Sequence, residues 1–292
     1  YTAVCEDCSV SMTYHSANNR MMCHYCGKSV PALKKCPECG NEYLKYSGVG
    51  TQKLEEELKL LFKDARILRL DADTTLSRDS FSTAFRDFSE HKYDIMIGTQ
   101  MVAKGLDFPG VDLVGVIGTD RAFYSDDYRG FERTFSLLTQ VIGRAGRSGG
   151  NSEAVIQTNN VGDNVIAFAS RQDYKAFYAE EILTRKVMIY PPYCDICMVV
   201  TSSTDNIVSE SAANEIKNNI INGITDKFKD IKLFILGPIP ASVIKVNGKY
   251  RYRMLIKCKN SREFRNLLRE SMSIKRKGDL SVYVDMNPET VL

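Results

Sequence analysis

Short apolar runs alternate with amphipathic stretches through the middle of the chain. Four runs have the length and β-branched content of buried strands: Ile67–Leu70, Tyr93–Gly98, Leu113–Gly118 and Ala154–Gln157. Apolar residues at helical spacing predict helices at 54–62, 80–90, 131–142 and, for the most part, 162–186. Thr51 is the predicted N-cap of the first of these helices. This alternation predicts an α/β fold with a parallel sheet covered on both faces.

The pattern changes after Pro191-Pro192. Strand-like runs follow at 194–203, 231–236, 241–246, 250–258 and 281–285, with helical patterns at 206–228 and 261–272. Asn247-Gly248 stands between two of these runs and is typical of a type I′ hairpin turn. The last hundred residues therefore predict a separate α+β domain with a mostly antiparallel sheet. We place the domain boundaries at 1–45, 46–187 and 188–292.

Composition is that of an ordinary globular protein. The chain has 292 residues, of which 43% are hydrophobic and 26% charged, and this balance excludes a disordered or collagen-like chain. No apolar run approaches the roughly 20 residues that span a bilayer. We therefore expect a cytoplasmic protein without membrane contact. We also expect a monomer.

The net charge of +3 hides a strongly basic segment between Lys245 and Lys277. This segment has twelve Lys and Arg residues against Glu263 and Glu270, which gives +10 and leaves −7 for the remainder. Such a stretch is either an electrostatic footprint for nucleic acid or a solvated basic face. Tyr250 and Tyr252 alternate with Arg251 and Arg253, so the tyrosines occupy one strand face and the arginines the other. The aromatic face would either stack on single-stranded bases or belong to the core.

Six of the nine cysteines form three C-x-x-C pairs: Cys5/Cys8, Cys23/Cys26 and Cys36/Cys39. A two-residue gap lets a tight turn direct both thiolates at one metal ion, and two such pairs complete a tetrahedral zinc site. Disulfides are the alternative, which a cytosolic chain disfavours. His15 and His24 could substitute as ligands, but His24 lies inside a knuckle, where its side chain would point away from the metal, and we expect it to be a bystander. Three pairs leave one without a partner, and we expect a fourth pair upstream of Tyr1.

The other cysteines, Cys194, Cys197 and Cys258, lie in apolar strand patterns. Residues three apart on a strand point to opposite faces, so Cys194 and Cys197 are poorly placed to hold one metal ion. Buried core thiols are the favoured interpretation.

Two loop motifs carry the chemistry of the middle domain. The first follows a strand and reads Gly98-Thr-Gln-Met-Val-Ala-Lys-Gly-Leu-Asp-Phe-Pro-Gly-Val111. The second follows a helix and reads Gln140-Val-Ile-Gly-Arg-Ala-Gly-Arg147. Arg144 and Arg147 share one face of a helical turn, and two guanidinium groups on one face suit a triphosphate. The alternative is a basic helix end that is favoured by the helix dipole.

These residues resemble a known family. The segment 99–111 resembles motif V, and 140–147 motif VI, of superfamily 2 helicases, both in the second RecA-like lobe. Taken with the cysteine pairs, the whole chain resembles the PriA family of bacterial replication-restart helicases. Five further strings carry this resemblance: Gly48-Val-Gly-Thr-Gln-Lys-Leu-Glu-Glu-Glu, Arg69-Leu-Asp-Ala-Asp-Thr-Thr, Asp127-Tyr-Arg-Gly-Phe-Glu-Arg, Tyr190-Pro-Pro-Tyr and Val284-Asp-Met-Asn-Pro.

The resemblance implies roles for individual residues. Cys5, Cys8, Cys23 and Cys26 would form the complete inner zinc site, and Cys36 and Cys39 half of an outer one. Around the nucleotide, Arg144 and Arg147 would reach the phosphates with support from Gln140, while Gly105 and Asp107 would contribute to the nucleotide site. The resemblance implies DNA contact by Thr99, Gln100 and Lys104, and the basic strand adds Arg251 and Arg253 as candidates for DNA contact.

The resemblance also implies an activity for the whole protein: an ATP- and Mg²⁺-dependent 3′→5′ DNA helicase that remodels stalled forks and starts primosome assembly. Its implied partners are forked and single-stranded DNA, the single-stranded DNA-binding protein and other primosome proteins. The 292 residues contain no G-x-x-x-x-G-K-[ST] phosphate loop, so we expect no ATP hydrolysis by this chain alone. The alternatives are a binding module on an inactive helicase lobe, or another superfamily 2 fork remodeller.

Overall fold

A computed structural model describes most of the chain, namely residues 3–15, 19–42, 50–70, 78–99, 110–119, 127–143, 153–275 and 277–290. The chain divides into two compact units. One unit contains both ends of the sequence, Tyr1–Tyr46 and Leu183–Leu292, and the other is Ser47–Ile182.

The middle unit consists of strand–helix–strand repeats. Strand β4 (Ile67–Leu70) pairs in parallel with β5 (Ile95–Gly98), and β6 (Leu113–Val116) pairs in parallel with β7 (Glu153–Ile156). Parallel neighbours need a crossover connection, and helices α2 and α3 lie in these two crossovers. The elements are α1 (Thr51–Leu61), β4 (Ile67–Leu70), α2 (Arg78–Ser89), β5 (Ile95–Gly98), β6 (Leu113–Val116), α3 (Gly130–Ile142), β7 (Glu153–Ile156), α4 (Asn164–Ser170) and α5 (Tyr174–Met188). The predicted α/β class with parallel strands is confirmed.

In this unit one local prediction is wrong and another is refined. Thr51 is the first residue of α1 and not its N-cap; Gly50 is the N-cap, and its carbonyl accepts from the Leu54 N–H at 3.1 Å. The helical stretch predicted at 162–186 is two helices. Asp163 caps α4 and Asp173 accepts a backbone N–H at the start of α5, so each short carboxylate favours a new helix start over continuation.

Aromatic packing closes the core of the middle unit. Phe135 of α3 stacks on Phe177 of α5, with ring centroids 4.2 Å apart. Leu138, Val165 and Ala169 complete the buried cluster. These residues pack α3 against α4 and α5, the two helices that follow strand β7 in the chain.

The C-terminal part of the other unit is a four-stranded antiparallel sheet in the order β11-β8-β10-β9. With two helices between the strands it has the β-α-β-β-α-β arrangement of split βαβ folds. Its elements are β8 (Asp195–Ser203), α6 (Asn206–Asp226), β9 (Phe234–Val246), β10 (Lys249–Cys258), α7 (Arg262–Ser271) and β11 (Ser281–Met286). The predicted α+β domain with a mostly antiparallel sheet is confirmed in this architecture.

Both helices lie on one face of this sheet. Val199 and Ile256 of the strands pack with Ile216 of α6 and Phe264 of α7. Local signals fix the ends of the elements: Asp205 accepts from the Ile207 N–H at 2.8 Å to cap α6, and Ser261 caps α7. The turn between β9 and β10 has positive φ at Asn247 (51°) and Gly248 (77°), as the type I′ prediction requires.

The cysteines of this domain behave as core residues. Cys197 and Cys258 are buried, and burial raises the pKa of each thiol to about 12. Cys194 is half-buried, and its thiol donates to the carbonyl of Ile189 at 3.2 Å. The interpretation of these three as core thiols is confirmed for Cys197 and Cys258; Cys194 lies at the edge of the core.

Close packing of α6 on α7 depends on a glycine. A Cβ at Gly223 of α6 would overlap the side chain of Leu267, which is buried in the core. We therefore expect Gly223→Ala to lower the free energy of unfolding by about 1–3 kcal/mol, because overpacking outweighs the helix propensity that alanine adds. Urea unfolding followed by circular dichroism measures this. Asn222→Ala, at the adjacent exposed position of the same helix, is the control and should be neutral or stabilising.

Candidate metal centre and nucleic-acid interface

Each of the three C-x-x-C pairs adopts the same backbone turn. In each, the carbonyl of the first cysteine accepts from the N–H of the residue four positions later, at 2.7–2.8 Å. The N–H of the first cysteine donates to the carbonyl of the residue five positions later. The residue four positions after the first cysteine, which is Ser9, Gly27 or Gly40, has positive φ. Glycine adopts this conformation without strain, which explains why it follows two of the three pairs. In each turn, the N–H groups of the second cysteine and of the residue before it point at the sulfur of the first cysteine.

The first two turns bring four sulfur atoms together. The thiol sulfurs of Cys5, Cys8, Cys23 and Cys26 all lie within 4.8 Å of one another, and Cys5 Sγ is 3.7 Å from Cys26 Sγ. A tetrahedral zinc ion with Zn–S bonds of about 2.3 Å would place its sulfurs about 3.8 Å apart. Three of the four cysteines are buried, as in a closed structural site. The donor set and its spacing therefore fit zinc.

The pKa values of the cysteines reflect a competition between burial, which favours the neutral thiol, and backbone N–H groups, which favour the thiolate. Burial raises the pKa of Cys5 and Cys8. Burial also opposes ionisation of Cys23, but the N–H groups of Cys26 and Tyr25 outweigh it and lower the pKa of Cys23 to about 7. The N–H groups of Cys39 and Glu38 lower the pKa of Cys36 in the third turn.

An ion-pair cluster and a small sheet position the two turns of the four-cysteine group. Lys28, just past the second turn, contacts Glu6 at 2.9 Å and Asp7 at 3.1 Å in the first. These contacts raise the pKa of the Lys28 ammonium. Strands β1 (Thr13–His15), β2 (Arg20–Met22) and β3 (Ser29–Pro31) form an antiparallel sheet between and beside the turns. The second turn connects β2 to β3, so the sheet register sets the place of Cys23 and Cys26.

The third turn stands apart from the four-cysteine group. Cys36 is half-buried and Cys39 exposed. Across the described ranges, Cys5, Cys8, Cys23 and Cys26 are the one set of three or more potential ligands that converges. The predicted half site at Cys36 and Cys39 thus has the knuckle backbone but no further ligand among those residues, and its pairing remains a prediction.

The C-terminal sheet resolves the open question about the alternating tyrosines and arginines. Tyr252 is on the helix-covered face, only 8% exposed, and its hydroxyl bonds Asn206 and Glu210 of α6. Tyr252 therefore belongs to the core side, while Tyr250 is half-buried beneath the Lys245 ammonium. Arg251 and Arg253 lie on the opposite face, where both are half-buried.

That opposite face has an aromatic residue that the sequence pattern did not single out. Tyr283 of β11 is 41% exposed, and Arg251 Nη2 donates to its hydroxyl at 2.9 Å. The two residues lie on strands that flank β8: Tyr283 pairs with Val200 of β8, and Arg251 pairs with Ser202. Its alternation with Val282 and Val284, which pack on the core, was the one signal that could have found Tyr283.

Most of the predicted motor residues lie outside the described residues: Gln100, Lys104, Gly105, Asp107, Arg144 and Arg147. Thr99 is exposed directly after β5. Because Leu70 pairs with Gly98 in parallel register, β4 and β5 end at the same edge, which is where ligands bind in such sheets. Gln140 is exposed near the end of α3 and donates to Ser136 Oγ at 3.4 Å.

A buried carboxylate stands at the other end of α3. The Asp127 side chain is fully buried; Oδ1 accepts from the Arg129 N–H at 3.0 Å, and Oδ2 is 3.1 Å from Arg133 Nη1. In the sequence, Asp127 stood out only as the first residue of a segment that resembles the family. The structure gives it a positioning role, because it fixes the first turn of the helix whose other end leads into the 140–147 motif.

No helix within the described ranges is both long enough and apolar enough to cross a bilayer.

Three family models match the chain in succession. The PriA DNA helicase Cys-rich region matches residues 5–31, the helicase conserved C-terminal domain matches 47–149, and the primosomal protein N C-terminal domain matches 186–289. The first of these regions contains the four-cysteine group, and the last contains the sheet with Arg251 and Tyr283.

Curated relatives match over nearly all of the chain. The replication restart protein PriA of Bacillus subtilis is 38% identical across 99% of the chain, and that of Chlamydia trachomatis is 36% identical across 99%. The PriA protein of Synechocystis is 34% identical across 98%. The chain spans only 36%, 38% and 34% of the length of these three proteins. With all three models and these relatives in agreement, the chain belongs to the PriA family of replication restart proteins.

Proposed function

We propose that this chain supplies the second motor lobe, the zinc knuckles and a single-strand-binding sheet of an ATP-dependent 3′→5′ DNA helicase. The whole protein would recognise and remodel stalled replication forks and begin primosome assembly, with the single-stranded DNA-binding protein among its partners. The observation that carries the binding part is the exposed Tyr283 held beside Arg251 on the sheet face opposite the helices. Stacking rings beside cationic groups bind single strands without reading sequence.

The motor part rests on the family. Arg144 and Arg147, with Gln140, Gly105 and Asp107, would act at ATP and Mg²⁺, and Thr99, Gln100 and Lys104 at the DNA backbone. Phosphoryl transfer depends on positioning and charge stabilisation from both sides of the nucleotide.

Since the 292 residues hold no phosphate loop, we expect no DNA-stimulated phosphate release from this chain alone. A colourimetric phosphate assay measures this, and release that Arg144→Ala abolishes would contradict it.

The zinc part rests on the four-cysteine group, in which Cys5, Cys8, Cys23 and Cys26 would hold one structural Zn²⁺. Cys36 and Cys39 would be one half of a second site. We expect the purified chain to hold one tightly bound zinc ion. Cys8→Ser should lose it, whereas Cys39→Ser, which changes the separate turn, should keep it. Elemental analysis after dialysis measures the stoichiometry, and zinc that survives Cys8→Ser would exclude this ligand set.

Zinc binding should depend on pH, because thiols must lose their protons to become ligands. The pKa of Cys23 is lowered to about 7, while those of Cys5 and Cys8 are raised. Protons therefore compete more strongly as pH falls through about 7, and zinc affinity should decrease there. Competition with a chromophoric chelator across this range measures the trend; an affinity independent of pH would contradict it.

For DNA, we expect the chain to prefer a fork with a single-stranded arm to a blunt duplex of equal length at one fixed salt concentration. Tyr283→Ala should weaken binding to the fork about tenfold, since stacking contributes about 1–3 kcal/mol per base. Arg251→Ala should also reduce the slope of log affinity against log salt by about 0.7, as for one phosphate contact on a single strand. Fluorescence anisotropy measures both.

Two matched variants separate this surface from general charge. Arg265→Ala removes an exposed arginine from α7, on the helix side of the sheet, and should leave fork binding unchanged. Tyr283→Phe keeps the ring but loses the hydroxyl that accepts from Arg251, and should retain most of the affinity. Equal weakening by Arg251→Ala and Arg265→Ala would assign binding to net charge and remove the sheet face from the proposal.

A further inference from the structure

The tip of the β9–β10 hairpin lies against the first cysteine turn, although the two are about 240 residues apart in sequence. The Gly248 N–H donates to the Asp7 carbonyl at 3.0 Å. The Asn247 N–H faces the Cys8 sulfur and favours its thiolate form. Both turn residues therefore direct their backbone donors at consecutive residues of the metal-binding turn.

Side chains of the hairpin add two contacts. Lys245 Nζ donates to the Glu6 carbonyl at 3.2 Å. Val246 packs against the cluster formed by the buried cysteines. Three successive residues of the first turn, Glu6, Asp7 and Cys8, are thus each held from the hairpin.

The turn chemistry explains why this hairpin can serve two purposes. In a two-residue hairpin the strand ladder closes between the residues that flank the turn, here Val246 and Lys249. The N–H groups of the two central residues take no part in that ladder. Positive φ at both Asn247 and Gly248 gives the tip its I′ shape, and the free donors can then bond outside the sheet.

Contacts of this kind tune metal sites. Groups that hydrogen-bond the ligands orient them, and their loss typically lowers metal affinity by 10–100-fold. An N–H bonded to a thiolate also compensates part of the charge on sulfur, which is a charge-assisted hydrogen bond. A hairpin that covers and bonds the first turn is therefore part of the metal centre in energetic terms.

We infer that the β9–β10 hairpin is a positioning element of the four-cysteine metal site, so that metal occupancy and hairpin order stabilise each other. The coupling is reciprocal by thermodynamic necessity: what the hairpin adds to metal affinity, the metal adds to hairpin stability. This inference rests on the proposed zinc binding by Cys5, Cys8, Cys23 and Cys26.

The first test changes the hairpin without changing its turn residues. Lys245→Met/Val246→Ala removes the ammonium donor and part of the apolar cover while leaving Asn247 and Gly248 in place. In competition with a chromophoric chelator, the affinity of the 292-residue chain for Zn²⁺ should fall about tenfold. The matched control, Lys232→Met/Val243→Ala, removes the same atoms from β9 and the loop before it, outside the knuckle contact, and should bind as the parent chain does.

Cobalt substitution shows whether the ligands themselves have changed. The Co²⁺-loaded variant should keep the absorption bands of four-thiolate coordination, because Lys245 and Val246 are not ligands. Zinc affinity within twofold of the parent chain, with the ligand spectrum intact, would overturn the inference while leaving the zinc proposal standing. Absence of zinc from the parent chain would instead overturn the zinc proposal itself.

The second test needs no substitution and measures the reverse direction. Amide hydrogen exchange of the Asn247 and Gly248 N–H groups is compared in the zinc-loaded and the chelator-stripped parent chain. Both amides should lose protection at least tenfold on stripping, while the Ile256 amide at the far end of β10 should not. Equal protection of the two tip amides in both forms would contradict the coupling.

Discussion

The convergence of four sulfur atoms, all within 4.8 Å of one another, is the constraint on which the cysteine-rich segment depends. Its strands are three residues long, and the apolar residues packed on the sulfurs are few, chiefly Val10 and Met12. A segment of about 40 residues rarely folds on such a core without a metal or disulfides. The turns hold sulfur atoms at a separation that suits tetrahedral zinc and leave them as free thiols rather than disulfides. The sheet, the Lys28 ion pairs and the hairpin contact all follow from fixing those two turns.

Sequence reasoning succeeded where structure is local. The knuckle turns, the Asn247-Gly248 hairpin and the strand–helix alternation are each determined within a few residues, and each is present. It predicted 162–186 to be mostly helical, as it is, but did not locate the break at 171–173, where the Asp173 carboxylate accepts a backbone N–H at the start of a new helix. The contact between the β9–β10 hairpin and the first cysteine turn could not be predicted, because neither segment has a local pattern that identifies a partner about 240 residues away.

The alternating tyrosines and arginines of β10 show the same limit at the candidate binding face. A period of two places Tyr252 and Arg251 on opposite faces of the strand, but it does not say which face the helices cover. The answer comes from α6 and α7, whose Ile216 and Phe264 pack on the side that Tyr252 shares with Met254. The aromatic ring available for stacking then has to come from another strand, and β11 supplies it in Tyr283. Pairing across strands that are distant in sequence is a tertiary property, so the sequence indicated the basic half of this surface and missed the aromatic half.

One hairpin connects the two kinds of chemistry in this unit. Its tip bonds the first cysteine turn, and β10 continues from that tip through Lys249 to Arg251, which sits beside Tyr283. Lys249 is itself tied to Asp279, which also accepts from Ser203 of β8, so the start of β10 is held on two sides. The β9–β10 register shifts between Tyr250 and Tyr252, but β10 pairs with β8 without interruption from Tyr250 to Cys258. Along this continuous ladder the register cannot slip by one residue without turning every side chain to the wrong face, so β10 transmits position. A metal ion that fixes the tip would therefore also limit where Arg251 can lie, which gives a structural reason for a cysteine-rich segment and the sheet proposed to bind nucleic acid to form one compact unit.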